Sequence, residues 1–402
     1  MRGGTIFAAL LLACVAHGAT GEPSLKSADL LAEAEAMGDR LVQWRRNFHE
    51  KPELMYDLPE TAAMVQAVLT ELGIPFQYPV ARSGVVGTIG TGQAPVVALR
   101  SDMDALPVLE EMFEDTKGFL SKATGKMHAC GHDAHMAMLL GAAKLLKARE
   151  ASIKGTVRLV FQPAEEGGAG GFMMTQEGVL DNPRVQRMFG MHVWPWLASG
   201  HVATAPGPLM AAAGTWEATI TGVGGHAAAG IGIAVVDPVV ATSAAITALH
   251  SIVSRDVRPG DSAVVSVTMV NGGHVHNVIP QSVTIGGTLR AFSREVYSTI
   301  ERRTKEVLEG TAKAYGCTVT WAFTSFADDC MLSKDVPAHF GSGCTYPPVV
   351  NDADFSELAT QVSPFFKMDE SVLPTGAALH ASVALEALSL LGGLAGGARF
   401  EL

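Results

Sequence analysis

Residues 126–143, KMHACGHDAHMAMLLGAA, crowd His128, Cys130, His132, Asp133 and His135 into the mouth of a small-residue helix. A thiolate set among imidazoles favours borderline transition metals such as zinc, manganese, cobalt or nickel over calcium or magnesium. The competing reading is a group of polar residues that cap the helix. FQPAEEGGAGG places Glu165 and Glu166 side by side after an apolar run. Side chains of consecutive extended residues diverge, so one carboxylate can bind metal while its neighbour faces a substrate water. A general base needs that second position. A solvated acidic turn would look the same in isolation, and a phosphate loop is disfavoured because no Gly-Lys-Ser/Thr follows.

GMHVWP ends another apolar run at His192, which taken alone reads equally as a buried structural imidazole. The three run ends together are more specific. They carry Asp102/Asp104, Glu165/Glu166 and His192, with Cys130/His132 opening the intervening helix. Carboxylate, thiolate and imidazole at one sheet edge are what a two-metal hydrolytic site requires. Further along, GVGGHAAAG holds His226, HNVIP holds Asn277 and GGTLR holds Arg290. Arginine with an amide suits a substrate carboxylate or an oxyanion, although Arg290 also fits an ordinary ion pair.

These groups need elements to position them. The pattern predicts a helix over 28–49 and another over about 60–72, with Pro59 at its start and Gly73 past its end. Strands are expected at 96–100, 155–162 and 185–193, with a helix over about 133–149. Alternating strands and helices predict an open, largely parallel sheet with the site at strand C-terminal ends. From 214 the order becomes strand 215–221, helix 237–255, strands 263–270 and 282–292, helix 294–315 and strand 317–325. That β-α-β-β-α-β order is the split βαβ, ferredoxin-like arrangement. It reads as an insertion, because GAALHASVALEALSLL near the C-terminus resembles the first region again.

The chain has 402 residues, 48% of them hydrophobic and 17% charged, enough for two or three core-forming domains. A net charge of −11 with no basic stripe argues against a nucleic-acid partner. Residues 1–18 combine an early Arg, an apolar run from Ile6 to Ala16 and a small-residue exit, the pattern of a secretory signal peptide. The run is too short to span a bilayer, and no membrane span is expected later. The expected location is the secretory pathway, either the ER lumen or outside the cell. The C-terminal ARFEL only loosely matches a retention signal. Without Cys14, the remaining Cys130, Cys317, Cys330 and Cys344 are too few for a disulfide framework, and a Cys330–Cys344 bridge is left open.

LRSDMDALP, KMHACGHDAHMAMLLGAA, FQPAEEGG, GMHVWP, GGHAA, DPVVA, NVIPQSV, GGTLRAF and LPTGAALHASVA occur in the order of the M20 family of metal-dependent amidohydrolases. From about residue 40 to 390 the chain resembles its subfamily of IAA-amino-acid hydrolases, hippurate hydrolases and N-acyl-amino-acid amidohydrolases. The resemblance implies an α/β fold: a zinc-peptidase-like catalytic domain (24–212 and 328–402) with an inserted ferredoxin-like lid and dimerisation domain (213–327). It implies two divalent ions, manganese or zinc, held by Cys130, His132, Glu166 and His192, with Cys130 bridging. Glu165 would be the general base and Asp104 a supporting carboxylate. His226, from the partner of a homodimer, would stabilise the tetrahedral intermediate, while Asn277 and Arg290 hold the substrate. The implied reaction cleaves N-acyl amino acids to a carboxylic acid and a free amino acid.

Two departures from the family pattern stand out. Val362 precedes Ser363-Pro364 where the pattern has a fifth metal-ligating His, within a shortened C-terminal segment. GGHAAAGIG also lacks the usual Pro-His after GGHAA. The first departure implies an under-coordinated metal, down to a single bound ion. It keeps open a catalytically impaired shortened form acting as a binding or dimerisation partner. A dipeptidase or carboxypeptidase of the same family uses the same metal chemistry.

Overall fold

A computed structural model describes residues 27–111, 118–194, 198–203, 211–229, 235–325, 348–350 and 367–394. The leader pattern at 1–18, Cys14, Cys330, Cys344, Val362 and the terminal ARFEL lie outside these residues.

The chain begins with helices α1 (Ser27–Glu35), α2 (Gly38–His49) and α3 (Pro59–Glu71). The helix expected over 28–49 is therefore two. Gly38 is a poor interior helix residue, and Asp39 in the first turn of α2 favours a new N-terminus there. Strands β1 (Phe76–Val80), β2 (Gly84–Gly90), β3 (Val96–Asp102), β4 (Thr156–Gln162) and β5 (Arg187–Gly190) form one sheet in the order β1-β2-β4-β3-β5. β3, β4 and β5 run parallel, whereas β2 is antiparallel to both β1 and β4. The sheet is thus mixed rather than largely parallel. β1 and β2 escape a reading by apolar runs because Pro79, Gly84, Gly87 and Gly90 interrupt them. Every residue of β3 and β4 is buried, as expected of strands covered on both faces.

Helix α4 (His132–Lys147) lies against β3 and beneath the C-terminal helix α9 (Leu373–Leu394). The helices approach closely because glycines face the contact. A Cβ on Gly141 would meet Ala377 Cβ and Leu41 Cδ2 at 2.7 Å. Glu370–Gly392 is long and apolar enough to cross a membrane, but Leu373, Ala377, Ala381 and Ala384 are buried in the core against α4. Its apolarity is that of a core helix. The short helix α5 (Gly170–Gln176) follows the turn after β4.

The strand expected at 185–193 breaks at Met191. β6 (His192–Trp194) leaves the sheet and pairs in parallel with β13 (Pro348–Val350). His192 therefore opens a short strand instead of closing a long one.

A second layer follows: β7 (Ala212–Thr221), the short β8 (Gly225–His226), α6 (Pro238–Leu249), α7 (Ser251–Asp256), β9 (Ala263–Asn271), the short β10 (Val278–Ile279), β11 (Ser282–Ala291), α8 (Arg294–Ala314) and β12 (Thr318–Ser325). The main sheet is antiparallel in the order β12-β7-β11-β9, the strand order of the split βαβ motif. β7 alternates buried and more exposed residues, with Trp216, Ala218 and Ile220 turned to a separate core shared with α6 and α8. The helix expected over 237–255 is interrupted at His250, where the Ser251 hydroxyl donates to the Ala248 carbonyl at 2.7 Å and loosens the helical ladder.

Gly141→Val would drive a branched side chain into Leu41 and Ala377. Overpacking of this kind costs about 1–3 kcal/mol. A denaturant titration should show a lower midpoint with an unchanged slope.

Candidate metal centre

Cys130, His132, His192, Glu165 and Glu166 converge from the N-terminal end of α4, the turn after β4 and the start of β6. Ligand-capable atoms of Cys130, His132 and His192 all lie within 4.8 Å of one another, and so do those of His132, Glu165 and Glu166. Gly131, at φ 81°, precedes α4 in the left-handed region that glycine tolerates, turning the chain so that Cys130 and His132 flank one point. Asp104 fixes the opposite wall. Its Oδ1 accepts the Glu165 N–H at 2.8 Å and its Oδ2 the Glu166 N–H at 3.1 Å, pinning the turn that carries both glutamates.

Backbone partners settle the imidazole tautomers, because a carbonyl only accepts and an amide N–H only donates. His132 Nδ1 donates to the Asp104 carbonyl at 2.7 Å, leaving a lone pair on Nε2, which is buried without a hydrogen-bond partner. His192 Nδ1 donates to the Val193 carbonyl at 2.7 Å and turns Nε2 toward Cys130 Sγ at 3.4 Å. Both rings thus present basic nitrogens to the same space. His135 does not. Its Nε2 accepts the Val193 N–H at 3.0 Å, and its Nδ1 donates to Asp102 Oδ1 at 2.6 Å. His128 is buried beside His49 with neither ring nitrogen hydrogen-bonded. Of the imidazoles in KMHACGHDAHM, His132 alone is offered to a metal.

The electrostatics favour either bound protons or a shared cation. Burial, the charge of Asp104 and the proximity of Asp102 push Glu166 up to about 7, even though a bond with Cys130 pulls the other way. Glu165 is raised well above the carboxylate range by burial, then by Glu166 and Asp102. Asp104 rises to about 7, chiefly through burial, against the two amide bonds it accepts. Burial and the neighbouring glutamates also raise the Cys130 thiol well above its usual value. Burial lowers His132 to about 3 and His192 to about 4, keeping both neutral. Neutral imidazoles, a thiol and clustered carboxylates with unpartnered buried atoms at His132 Nε2 and Glu166 Oε1 fit a divalent metal.

Asp102 and His135 form a further cluster with His132. Burial would raise Asp102, but Arg100, His132 and His135 hold it well below its ordinary value. Both its oxygens are engaged, Oδ2 by Arg100 Nη1 at 2.6 Å and Oδ1 by His135. The composition of the motif gives no hint that His135 faces a carboxylate; an arginine inside the apolar VVALRSD was the available signal. A second buried network braces the start of α4. Asp133 pairs with Arg45 Nε at 2.7 Å and His49 Nδ1 at 2.8 Å, and Arg45 reaches Glu370.

The remaining expected site residues sit in the second layer. His226 is exposed in β8 and pairs with Val278 of β10, beside exposed Asn277, whose carbonyl accepts the Ala227 N–H at 2.9 Å. Arg290 is exposed on β11, opposite Ala213 and Val264. Among the described residues, no hydrogen bond or ion pair joins these three to the cluster of Cys130, His132, Glu165, Glu166 and His192.

Comparison with known proteins places the chain in a family. The model of peptidase family M20/M25/M40 matches residues 98–386. The chain is 42% identical to the Arabidopsis thaliana IAA-amino acid hydrolase ILR1-like 4 over 409 residues, covering 93% of this chain and 91% of the relative. It is 42% identical to the N-acetylcysteine deacetylase of Bacillus subtilis over 284 residues, 70% of this chain and 73% of that one. Among solved structures, the Bacillus subtilis YXEP protein, described as a dinuclear metal binding peptidase of the M20 family, superposes with a TM-score of 0.70 at 30% identity, over 88% of this chain and 99% of its own.

Because Glu166 and the Cys130 thiol hold protons that a metal must displace, divalent-ion uptake should release protons. Affinity should rise from pH 6 to pH 8 as Glu166 passes through about 7, while His132 and His192, neutral throughout, contribute nothing to the slope. Calorimetric titration of the metal-free protein in buffers of different ionisation enthalpy reads the proton count. An enthalpy independent of buffer would contradict the expectation.

Proposed function

The chain belongs to peptidase family M20/M25/M40, and from that membership we propose that it is a metal-dependent amidohydrolase cleaving the amide bond of N-acyl amino acids. The products are a carboxylic acid and a free amino acid, with IAA-amino-acid or hippurate-like conjugates as the substrate class. One observation carries this reading. Cys130, His132 and His192 form one close triad of metal-capable groups and His132, Glu165 and Glu166 another, so His132 joins the two.

Cys130, His132 and His192 would hold one divalent ion, manganese or zinc, and Cys130 with Glu166 a second. A single ion is the alternative composition for a chain with Val362 at the fifth-ligand position. Bound there, the metal supplies Lewis acidity toward the scissile carbonyl and a more acidic water. Glu165 does the proton work. Its raised affinity for a proton suits a base that takes one from the attacking water and returns it to the leaving amide nitrogen. Its Oε2 lies 3.8 Å from His132 Nε2, beside the metal position without being needed as a ligand. Asp104 keeps the glutamate turn in register.

Residues 213–327 we read as a lid and dimerisation domain, with His226 of the partner subunit completing the site. Exposed Val264, Met269 and Val270 on β9 support that assembly. Asn277 and Arg290 would hold the substrate carboxylate, a bidentate partner for a guanidinium. The leader pattern of residues 1–18 supports delivery to the secretory pathway.

Metal-loaded protein should release alanine from an N-acyl-alanine and leave a free-amine dipeptide intact. Glu165→Gln should lower that turnover by about 10²–10⁴-fold, with metal content per chain unchanged by elemental analysis. Full turnover by the variant would remove Glu165 from the mechanism. Preference for the dipeptide would turn the assignment to a peptidase.

A further inference from the structure

We propose that Asp102 and His135 are positioning residues. Through a relay from Arg100 to the Val193 peptide, they set the direction of the His192 lone pair. The inference rests on the reading of Cys130, His132 and His192 as metal ligands and adds to it two groups whose hydrogen bonds run to Arg100 and the Val193 amide.

The relay is continuous. Buried Arg100 donates from Nε to Gln162 Oε1 at 2.9 Å and from Nη1 to Asp102 Oδ2 at 2.6 Å. Asp102 Oδ1 accepts from His135 Nδ1 at 2.6 Å, and His135 Nε2 accepts the Val193 N–H at 3.0 Å. The carbonyl of that same Val193 accepts the His192 Nδ1 proton at 2.7 Å. Each proton direction is forced. The Val193 amide can only donate, so His135 must carry its proton on Nδ1, and only a carboxylate at 102 receives that proton while also receiving Arg100.

β6 needs such support. His192–Trp194 is three residues long, separated from β5 at Met191 and not hydrogen-bonded into the five-stranded sheet. His135, buried within α4, holds the strand from behind while the 4.7 Å edge contact between the two rings limits rotation of His192. His135 stands one helical turn from the ligand His132 on the same helix. α4 therefore supplies one metal-facing imidazole directly and fixes the other through a peptide.

Asp102→Asn tests this with a change of one atom. Turned either way, the amide fails. If its NH₂ faces His135, the imidazole proton shifts to Nε2 and opposes the Val193 N–H. If its oxygen faces His135, the NH₂ opposes Arg100. His135→Gln keeps an acceptor near the Val193 N–H and loses the carboxylate contact, whereas His135→Leu loses both.

The full-length metal-free protein and each variant should be titrated with Co²⁺, following the thiolate-to-cobalt charge-transfer band and the d–d envelope, with circular dichroism and a thermal midpoint recorded alongside. The parent should show both signals. Asp102→Asn and His135→Leu should bind about 10–100-fold more weakly with an altered d–d envelope, and His135→Gln should fall between. Loss of thermal midpoint with cobalt affinity and envelope within about twofold of the parent would assign the pair a purely structural role and overturn the inference. Should Asp102→Asn not fold, the order of His135→Gln and His135→Leu decides. Absence of both signals in the parent would instead sink the metal reading itself.

Discussion

The centre is organised around a concentration of negative and proton-holding groups that the protein cannot tolerate alone. Glu165, Glu166, Asp104 and the Cys130 thiol share one partly buried space. Burial, reinforced by neighbouring carboxylates, raises all four above their ordinary values. A buried carboxylate escapes by keeping its proton, and a bound divalent cation offers several of them a common alternative. Asp102 shows the contrast. It lies as deep, yet Arg100 and His135 neutralise it within the fold, so it stays ionised and structural. Whether a carboxylate has a resident cationic partner separates the scaffold from the site.

Peptide groups do much of the fine positioning. The Asp104 carbonyl sets the tautomer of His132, the Val193 carbonyl that of His192, and the Glu165 and Glu166 amides bind the Asp104 side chain. Asp104 is thus at once an acceptor for one wall of the site and, through its main chain, for the other. A rigid main chain costs no rotamer freedom to hold in place, which makes it a better rest for a ligand imidazole than a long side chain.

Much of this was legible in the sequence. Continuous apolar runs mark β3 and β4 because both faces are covered, and polar residues clustered at their ends mark the site. The ordered motifs led to the family. The β-α-β-β-α-β order of the second layer was equally readable, since β7 and α8 keep clean periods of two and about four. What was not legible depends on contacts distant in sequence. Nothing local distinguishes His132 from His135, three residues on. One finds a carbonyl and keeps its second nitrogen free of hydrogen bonds, the other finds a carboxylate and an amide. The departure of β6 from the sheet at Met191 likewise depends on pairing with β13, more than 150 residues away, and β1 and β2 were hidden by their glycines and proline.

The helix pair α4 and α9 connects these levels. α4 carries His132, a candidate metal ligand, at its N-terminus and a run of small residues along its body, and α9 lies on it with Gly376 against Met138 and Ala377 against Gly141. At the entrance to α9, Glu370 holds Arg45 and Arg46 of α2, and Arg45 in turn holds Asp133, the residue after His132. The C-terminal helix is therefore coupled to α4 by packing at its middle and by charge at its start. Tight interhelical contact leaves α4 little freedom to slide. The buried Arg45–Asp133 pair, whose disruption would strand an uncompensated charge, fixes the turn from which His132 projects. Residues that never approach substrate thus determine where the first imidazole stands, as the Arg100–Asp102–His135 relay determines the second.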